Sequence, residues 1–268
     1  MIRLKSFTSE ANPDSMQTKL FTPARLLLAL IALPLALGLS ACGKKDDAAG
    51  AGPVGAPLNA VAPPAGKAWA DVVSVTPEGG YVMGNPNAPI KVIEFGSLTC
   101  PHCAEFEEKG FPRLRDEYVA KGTVSFEFRN FVRDPYDTTM AMLTHCGTPE
   151  SFFALTEQVY SNQKTIFDQL QPIGAQLQAA NLPQDKIFSA IGERGGLIDF
   201  FAARGIAKDQ AAQCLANSAT ATKLADATSK ATDAYNVTGT PTFLVNGKNV
   251  EVATWDALEP ILQQAGAR

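Results

Sequence analysis

The sequence predicts an α/β domain interrupted by a helical insertion. Residues 90 to 128 read as strand, helix, strand. Nearly everything from Asp134 to about Tyr235 carries helical periodicity, and residues 242 to 264 return to a β-hairpin and a helix. With 268 residues, 46% of them apolar, the chain can bury a sizeable core.

Residues 1–41 read as an address ahead of that domain. An apolar run occupies residues 26 to 39, Lys19 and Arg25 precede it, and Ser40-Ala41 close it. That order is the pattern of a secretory signal peptide. The run is short of the ~20 residues that span a bilayer and contains Pro34. Met16 is an alternative start that gives a conventional short basic region. Leu39-Ser40-Ala41-Cys42 resembles the lipobox of bacterial lipoproteins, which implies a lipid on Cys42 and a membrane anchor. Gly43 stands where an inner-membrane retention signal would have Asp, and the choice of membrane stays open. Residues 42–68, rich in Ala, Gly and Pro, cannot offset their ordering entropy by burial and read as a flexible tether.

The domain is expected over residues 69–268. Residues 71 to 76 have strand character, and Glu78-Gly79-Gly80 and Gly84-Asn85-Pro86-Asn87 are turn signals. Ile90 to Phe95 is a short buried strand, rich in Val, Ile and Phe. A helix over Ala104 to Ala120 is divided near Gly110-Phe111-Pro112. Val124, Phe126 and Phe128 alternate with Ser125 and Glu127 as a half-buried strand. In the insertion, Phe152, Leu155 and Val159 repeat at helical spacing, and Ile187, Ile191 and Leu215 mark further helices. Ser218 to Tyr235 is an Ala-rich helix. Asn246-Gly247 between residues 242–245 and 248–252 is a type I′ hairpin signal. The last helix, Trp255 to Gln264, turns Leu258, Ile261 and Leu262 inward behind Thr254 as N-cap.

Charge narrows the function classes. The formal net charge is −4, from 23 basic and 27 acidic residues, with no basic cluster outside the N-terminus. Nucleic acid is excluded as a partner, because phosphate binding needs concentrated Lys and Arg.

The chemistry concentrates in Cys100-Pro101-His102-Cys103, between the 90–95 strand and the following helix. A thiolate attacks disulfides, and free Cys is mostly protonated at neutral pH. At a helix N-terminus the unpaired amides and the positive dipole end stabilise a Cys100 thiolate. Pro101 suits the first turn, where its missing N–H costs nothing. His102 adds positive charge when protonated. Cys103, further into the helix, is the less accessible, resolving thiol. Haem attachment would need His where Ala104 stands. Structural zinc would need two more ligands, which the spacing of His145-Cys146 does not require. Cys146 and Cys214 remain in the helical insertion, as two buried thiols or, in an oxidising compartment, a structural disulfide.

Two segments together resemble a DsbA-family thiol:disulfide oxidoreductase. They are Val92-Ile93-Glu94-Phe95 leading to Cys100-Pro101-His102-Cys103, and Gly239-Thr240-Pro241-Thr242-Phe243-Leu244-Val245-Asn246-Gly247. The resemblance runs from about Gly84 to the C-terminus and implies a thioredoxin-like fold with an inserted helical subdomain at about 134–218. It implies a cis Pro241 beside the dithiol, with the Thr240 backbone pairing with an extended substrate segment. Thr240 departs from the Val of the best-known oxidases in the family, which leaves the direction of reaction open. The resemblance also implies a buried acid at Glu94, near Cys103, able to relay its proton; a solvent-facing Glu94 is the plain alternative. Helical-domain disulfides like Cys146–Cys214 occur in part of the family.

The function implied is a monomeric, periplasmic oxidase, lipid-anchored to a bacterial membrane. It would donate the Cys100–Cys103 disulfide to exported proteins bearing thiols, without a cofactor beyond that redox-active disulfide. A DsbB-like membrane partner would reoxidise it. The alternatives are an isomerase or reductase on the same fold, and a lipid-anchored metal carrier. Isomerases commonly carry an oligomerising N-terminal stalk, for which residues 43–66 offer no heptad, and no Met- or His-rich tract supports a carrier.

Overall fold

The computed structural model describes residues 55–268, apart from the side chains of residues 184 and 185. The expected signal peptide, Cys42 and the first part of the tether lie outside the described residues.

Six strands form one mixed sheet, in the order β1-β2-β4-β3-β5-β6. They are β1 Val73–Val75, β2 Tyr81–Gly84, β3 Ile90–Gly96, β4 Val124–Asn130, β5 Thr242–Val245 and β6 Lys248–Asn249. The central strand β3 runs parallel to β4, with Ile90 opposite Val124 and Glu94 opposite Phe128. On its other side β5 is antiparallel, with Glu94 opposite Phe243. A parallel pair needs a crossover, here made by α1 Pro101–Lys109, α2 Phe111–Arg113, a π-helical turn Leu114–Tyr118 and a 3₁₀ turn Val119–Lys121. Gly110-Phe111-Pro112 divides the helix as expected, since Pro112 has no N–H to continue the ladder.

The insertion holds α3 Pro135–Thr144, α4 Phe152–Ser161, α5 Gln163–Leu170, α6 Gly174–Ala179, α7 Gln184–Arg194, α8 Leu197–Ala202 and α9 Lys208–Ala216. The long helix α10 Ser218–Tyr235 returns to the sheet, where Ala231 and Tyr235 pack with Phe95, Val237 and Leu244. The larger core lies on the opposite face, among Val92, Phe126, Phe128, Phe152, Phe243 and Leu258. The last helix, α11 Trp255–Gln264, closes that core with Leu258 and Leu262.

Four local features differ from expectation. Strand β2 was not foreseen: Tyr81-Val82-Met83 is a short run between two turn signals. It becomes a strand through β1 and β4 on either side and the Tyr81 ring stacked on Phe152 at 3.7 Å. The described end of the 42–68 stretch lies against the domain. Gly55 N donates to Gln264 O at 2.7 Å, Leu58 N to Gly266 O at 2.9 Å, and Val61 N to Lys121 O at 2.8 Å. Its carbonyls are used too, with Trp69 Nε1 donating to Val61 O at 2.7 Å. Backbone pairing, which composition does not reveal, orders these residues. The hairpin turn at Asn246 (φ 50°) and Gly247 (φ 79°) is left-handed as expected, but β6 is shorter than residues 248–252. Left-handed Glu251, at φ 55°, turns the chain away from the sheet. Thr254 occupies the N-cap of α11 without a side-chain capping bond.

Candidate active site

The site is built where β3 ends. Val92 and Phe95 are buried on opposite faces of the sheet, which fixes the strand's register and its exit direction. A Cβ at Gly96 would collide with the Phe128 ring, so only glycine allows the close approach there. The chain turns through Ser97–Thr99, and Cys100 becomes the N-cap of α1 in extended conformation (φ −89°, ψ 122°), with Pro101 in the first turn. Ala104 N donates to Cys100 O at 3.2 Å.

Pro241, at the entry to β5, follows a cis peptide bond from Thr240. That bond lies beside the dithiol: the Cys100 thiol donates to Thr240 O at 3.1 Å across a separation of 140 residues. Cys100 is 2% exposed and Cys103 is fully buried, both free thiols.

The two sulfurs sit in opposed electrostatic surroundings. A hydrogen bond from the Cys103 thiol is the largest influence on Cys100, and burial opposes it. The Thr240 side chain and the backbone N–H groups of Cys103 and His102 add to the lowering, and Cys100 is held at about 5. The Thr240 hydroxyl is buried and makes no hydrogen bond of its own in the reduced site. Burial pushes the Cys103 thiol far up, reinforced by its bond to Cys100 and by the Glu94 charge. One cysteine therefore favours thiolate and the other thiol.

Glu94 is 1% exposed, flanked in the sheet by Phe128 and Phe243, and neither carboxyl oxygen has a hydrogen-bond partner. The solvent-facing alternative is therefore corrected: Glu94 points into the protein. Burial raises its pKa well above the ordinary carboxylate value, and the charges of Glu107 and Cys100 add to that. Glu107, one helical turn beyond Cys103, is likewise buried and pushed up to about 8, first by burial and then by Glu157. Sequence reading missed Glu107; its signal is its place four residues after Cys103, on the same face of α1.

His102 differs from expectation. Its side chain is 73% exposed, and Nδ1 faces Glu105 Oε2 at 3.7 Å. The side chain points outward into solvent, and the His102 backbone N–H is among the groups that lower Cys100. Cys146 and Cys214 are joined by a disulfide with Cα atoms 5.9 Å apart, linking the residue chain after α3 to α9, well away from the dithiol in sequence. Neighbouring His145 is a packing residue, edge-on to Tyr81 and Phe152, with Nε2 and Asn130 Oδ1 2.8 Å apart. Burial lowers it to about 4. Among the described residues no group of three or more His, Cys, Asp and Glu side chains could hold a metal ion.

A family model described as Thioredoxin matches residues 76–264. The chain belongs to the thioredoxin family. A crystal structure of a protein-disulfide isomerase from Novosphingobium aromaticivorans is similar at 35% identity and TM-score 0.65, covering 68% of this chain and 95% of that one. Wolbachia pipientis alpha-DsbA1 is similar at 22% identity and TM-score 0.52, over 69% of this chain and 89% of that one, which shows a shared fold. A Rickettsia bellii chain provisionally named a protein-disulfide oxidoreductase is 26% identical over 188 residues, 70% of this chain and 65% of its own length. This chain thus spans slightly under two thirds of that curated relative. The thioredoxin-like α/β fold with a helical insertion is the one the sequence predicts.

Proposed function

We propose that this chain is an exported thiol:disulfide oxidoreductase of the DsbA type, donating the Cys100–Cys103 disulfide to thiol-bearing proteins. The observation that carries this reading is the asymmetry of the dithiol. Cys100 is held at about 5 at a helix N-cap, 3.1 Å from Thr240 O, while burial pushes Cys103 far up.

The steps follow from that asymmetry. A substrate thiolate attacks Cys100 Sγ, the Cys100–Cys103 bond breaks, and the electron pair leaves on Cys103. Glu94, kept protonated by burial, supplies the proton that a buried Cys103 thiolate requires. The substrate's second thiolate then attacks the substrate sulfur of the mixed disulfide and displaces Cys100. The departing Cys100 is a stable thiolate, which makes it a good leaving group. Two electrons have passed from the substrate's two thiols to Cys100 and Cys103. Thr240 and cis Pro241 lie beside the reacting sulfur, where an extended substrate segment can pair with the Thr240 backbone. Pro101 completes the first turn, and His102 contributes its N–H.

Residues 1–41 act in this reading as a lipoprotein signal peptide and Cys42 as the lipid attachment, placing a monomeric enzyme on the periplasmic side of a membrane. A DsbB-like membrane protein reoxidises it. Isomerase activity is the second reading, favoured by the 35% identical relative from Novosphingobium aromaticivorans solved as a protein-disulfide isomerase. The test is oxidation of a reduced dithiol peptide and refolding of a scrambled-disulfide protein, beside the redox potential. Stoichiometric dithiol oxidation, lost in Cys100→Ser, is expected. A strongly reducing potential with efficient unscrambling would overturn the oxidase reading.

A further inference from the structure

The helical insertion grips the backbone just ahead of the dithiol. Gln163, the first residue of α5, is 9% exposed. Its Nε2 donates to Leu98 O at 2.9 Å and to Cys100 O at 3.1 Å. Cys100 O already accepts the first hydrogen bond of α1 from Ala104 N at 3.2 Å, and a carbonyl oxygen has a second lone pair for the glutamine. From the other side, Asp137 of α3 accepts from Leu98 N at 2.8 Å and from Ser97 Oγ at 2.6 Å. The Tyr160 hydroxyl of α4 donates to Ser97 O at 3.2 Å. Three insertion helices thus tie down the segment Ser97–Cys100.

Gln163 is the member of that clamp that touches Cys100 itself. Leu98 O and Cys100 O belong to the stretch between the last ladder bond of β3 and the first turn of α1. Two carbonyls converging in a buried place repel each other, and an unpaired one carries a desolvation cost. A single NH2 group with two donors resolves both at once. Without it, Cys100 O keeps Ala104 N but Leu98 O loses the glutamine amide and would turn toward water, and the backbone leading into Cys100 would turn with it.

We propose that Gln163 is a positioning residue for Cys100: by bridging the Leu98 and Cys100 carbonyls it keeps Cys100 at the N-cap of α1, with Sγ over the amides of His102 and Cys103 and against the Thr240 loop. This deepens the thiol:disulfide reading above and rests on it. It also gives the inserted helices a part in setting the reactivity of a sulfur that none of their side chains is needed to contact.

The experiment measures the pH dependence of Cys100 alkylation by iodoacetamide in the reduced protein, with the site of labelling identified by mass spectrometry. It compares wild type, Gln163→Leu and Gln163→Glu, with thermal midpoints of oxidised and reduced forms. Gln163→Leu is expected to raise the alkylation midpoint by about one pH unit, which is about tenfold less thiolate at a pH below it. Gln163→Glu, with a carboxylate facing two carbonyls, should raise it further. Should Gln163→Leu not fold, Gln163→Met, an unbranched chain that adapts to its surroundings, carries the same readout. An unchanged midpoint in the folded variants, with both redox forms losing the same thermal stability, would make Gln163 a packing residue and overturn the proposal. The functional reading fails separately: wild type would then show no dithiol oxidation, whatever Gln163→Leu does to the midpoint.

Discussion

Removing the Cys103 thiol should make Cys100 a poorer thiolate, by an amount the structure bounds. Cys100 is held at about 5, against 9.0 for an unperturbed thiol, and the hydrogen bond from Cys103 is the largest lowering influence. At about 1.4 kcal/mol per tenfold, the two decades between about 5 and pH 7 contribute on the order of 3 kcal/mol to the stability of the folded reduced form. The sign follows from a lowered acid pKa. The stabilisation is complete only above the unfolded thiol's value, is partly present at pH 7, and is lost as pH falls through about 5. It favours the reduced form, so it makes the disulfide more oxidising, by about 60 mV at roughly 30 mV per 1.4 kcal/mol. A hydrogen bond to a charged group contributes ~1.5–3 kcal/mol, so Cys103→Ala should raise the Cys100 midpoint by about 1–2 pH units. The assay is thiolate absorbance at ultraviolet wavelengths against pH, beside the alkylation rate. A wild-type midpoint near that of a free cysteine, or a Cys103→Ala midpoint no higher than wild type, would refute the reasoning.

Thr240→Val removes a buried hydroxyl that helps lower Cys100; the Cys100 midpoint should rise and the redox potential become less oxidising, measured against glutathione. Glu94→Gln keeps the shape but removes the titrating proton. Formation of the first mixed disulfide, in stopped-flow with a model thiol, should slow by about 100-fold, the low end of what a positioned acid–base group contributes, and lose pH dependence; an unchanged rate would remove Glu94 from the relay. Replacing Cys146 and Cys214 together by Ala opens a link of sequence separation 68. The chain-entropy relation then gives a loss of about 4 kcal/mol in denaturant unfolding, with the dithiol chemistry retained at low temperature. For Cys42, labelled fatty acid should enter wild type and not Cys42→Ala, and unlabelled wild type would argue against the anchor.

Much of the site was legible because its parts are local and chemically distinctive. Cys100-Pro101-His102-Cys103 declares itself by spacing at a strand-to-helix junction, and Thr240-Pro241 by a proline at the mouth of a strand. The strand period placed Glu94 without saying which way it faced; two phenylalanine-bearing neighbours, Phe128 and Phe243, decide that. His102 illustrates the opposite case. Its type suggested a charge beside Cys100; helix geometry places the side chain in solvent near Glu105 and adds a backbone N–H that the residue type does not announce.

By itself the sequence determined the α/β class, the helical insertion and the reactive dithiol. Periodicity, turn residues and motif spacing are properties of a few consecutive residues, and they survive without a fold. Only the tertiary structure decided that β2 is a strand, that residues 55–61 lie along the domain, and that Gln163, Asp137 and Tyr160 converge on Ser97–Cys100. Each depends on a partner distant in sequence. A buried glutamine and a surface glutamine are identical letters, and only the carbonyls placed within 3.1 Å of its amide separate them.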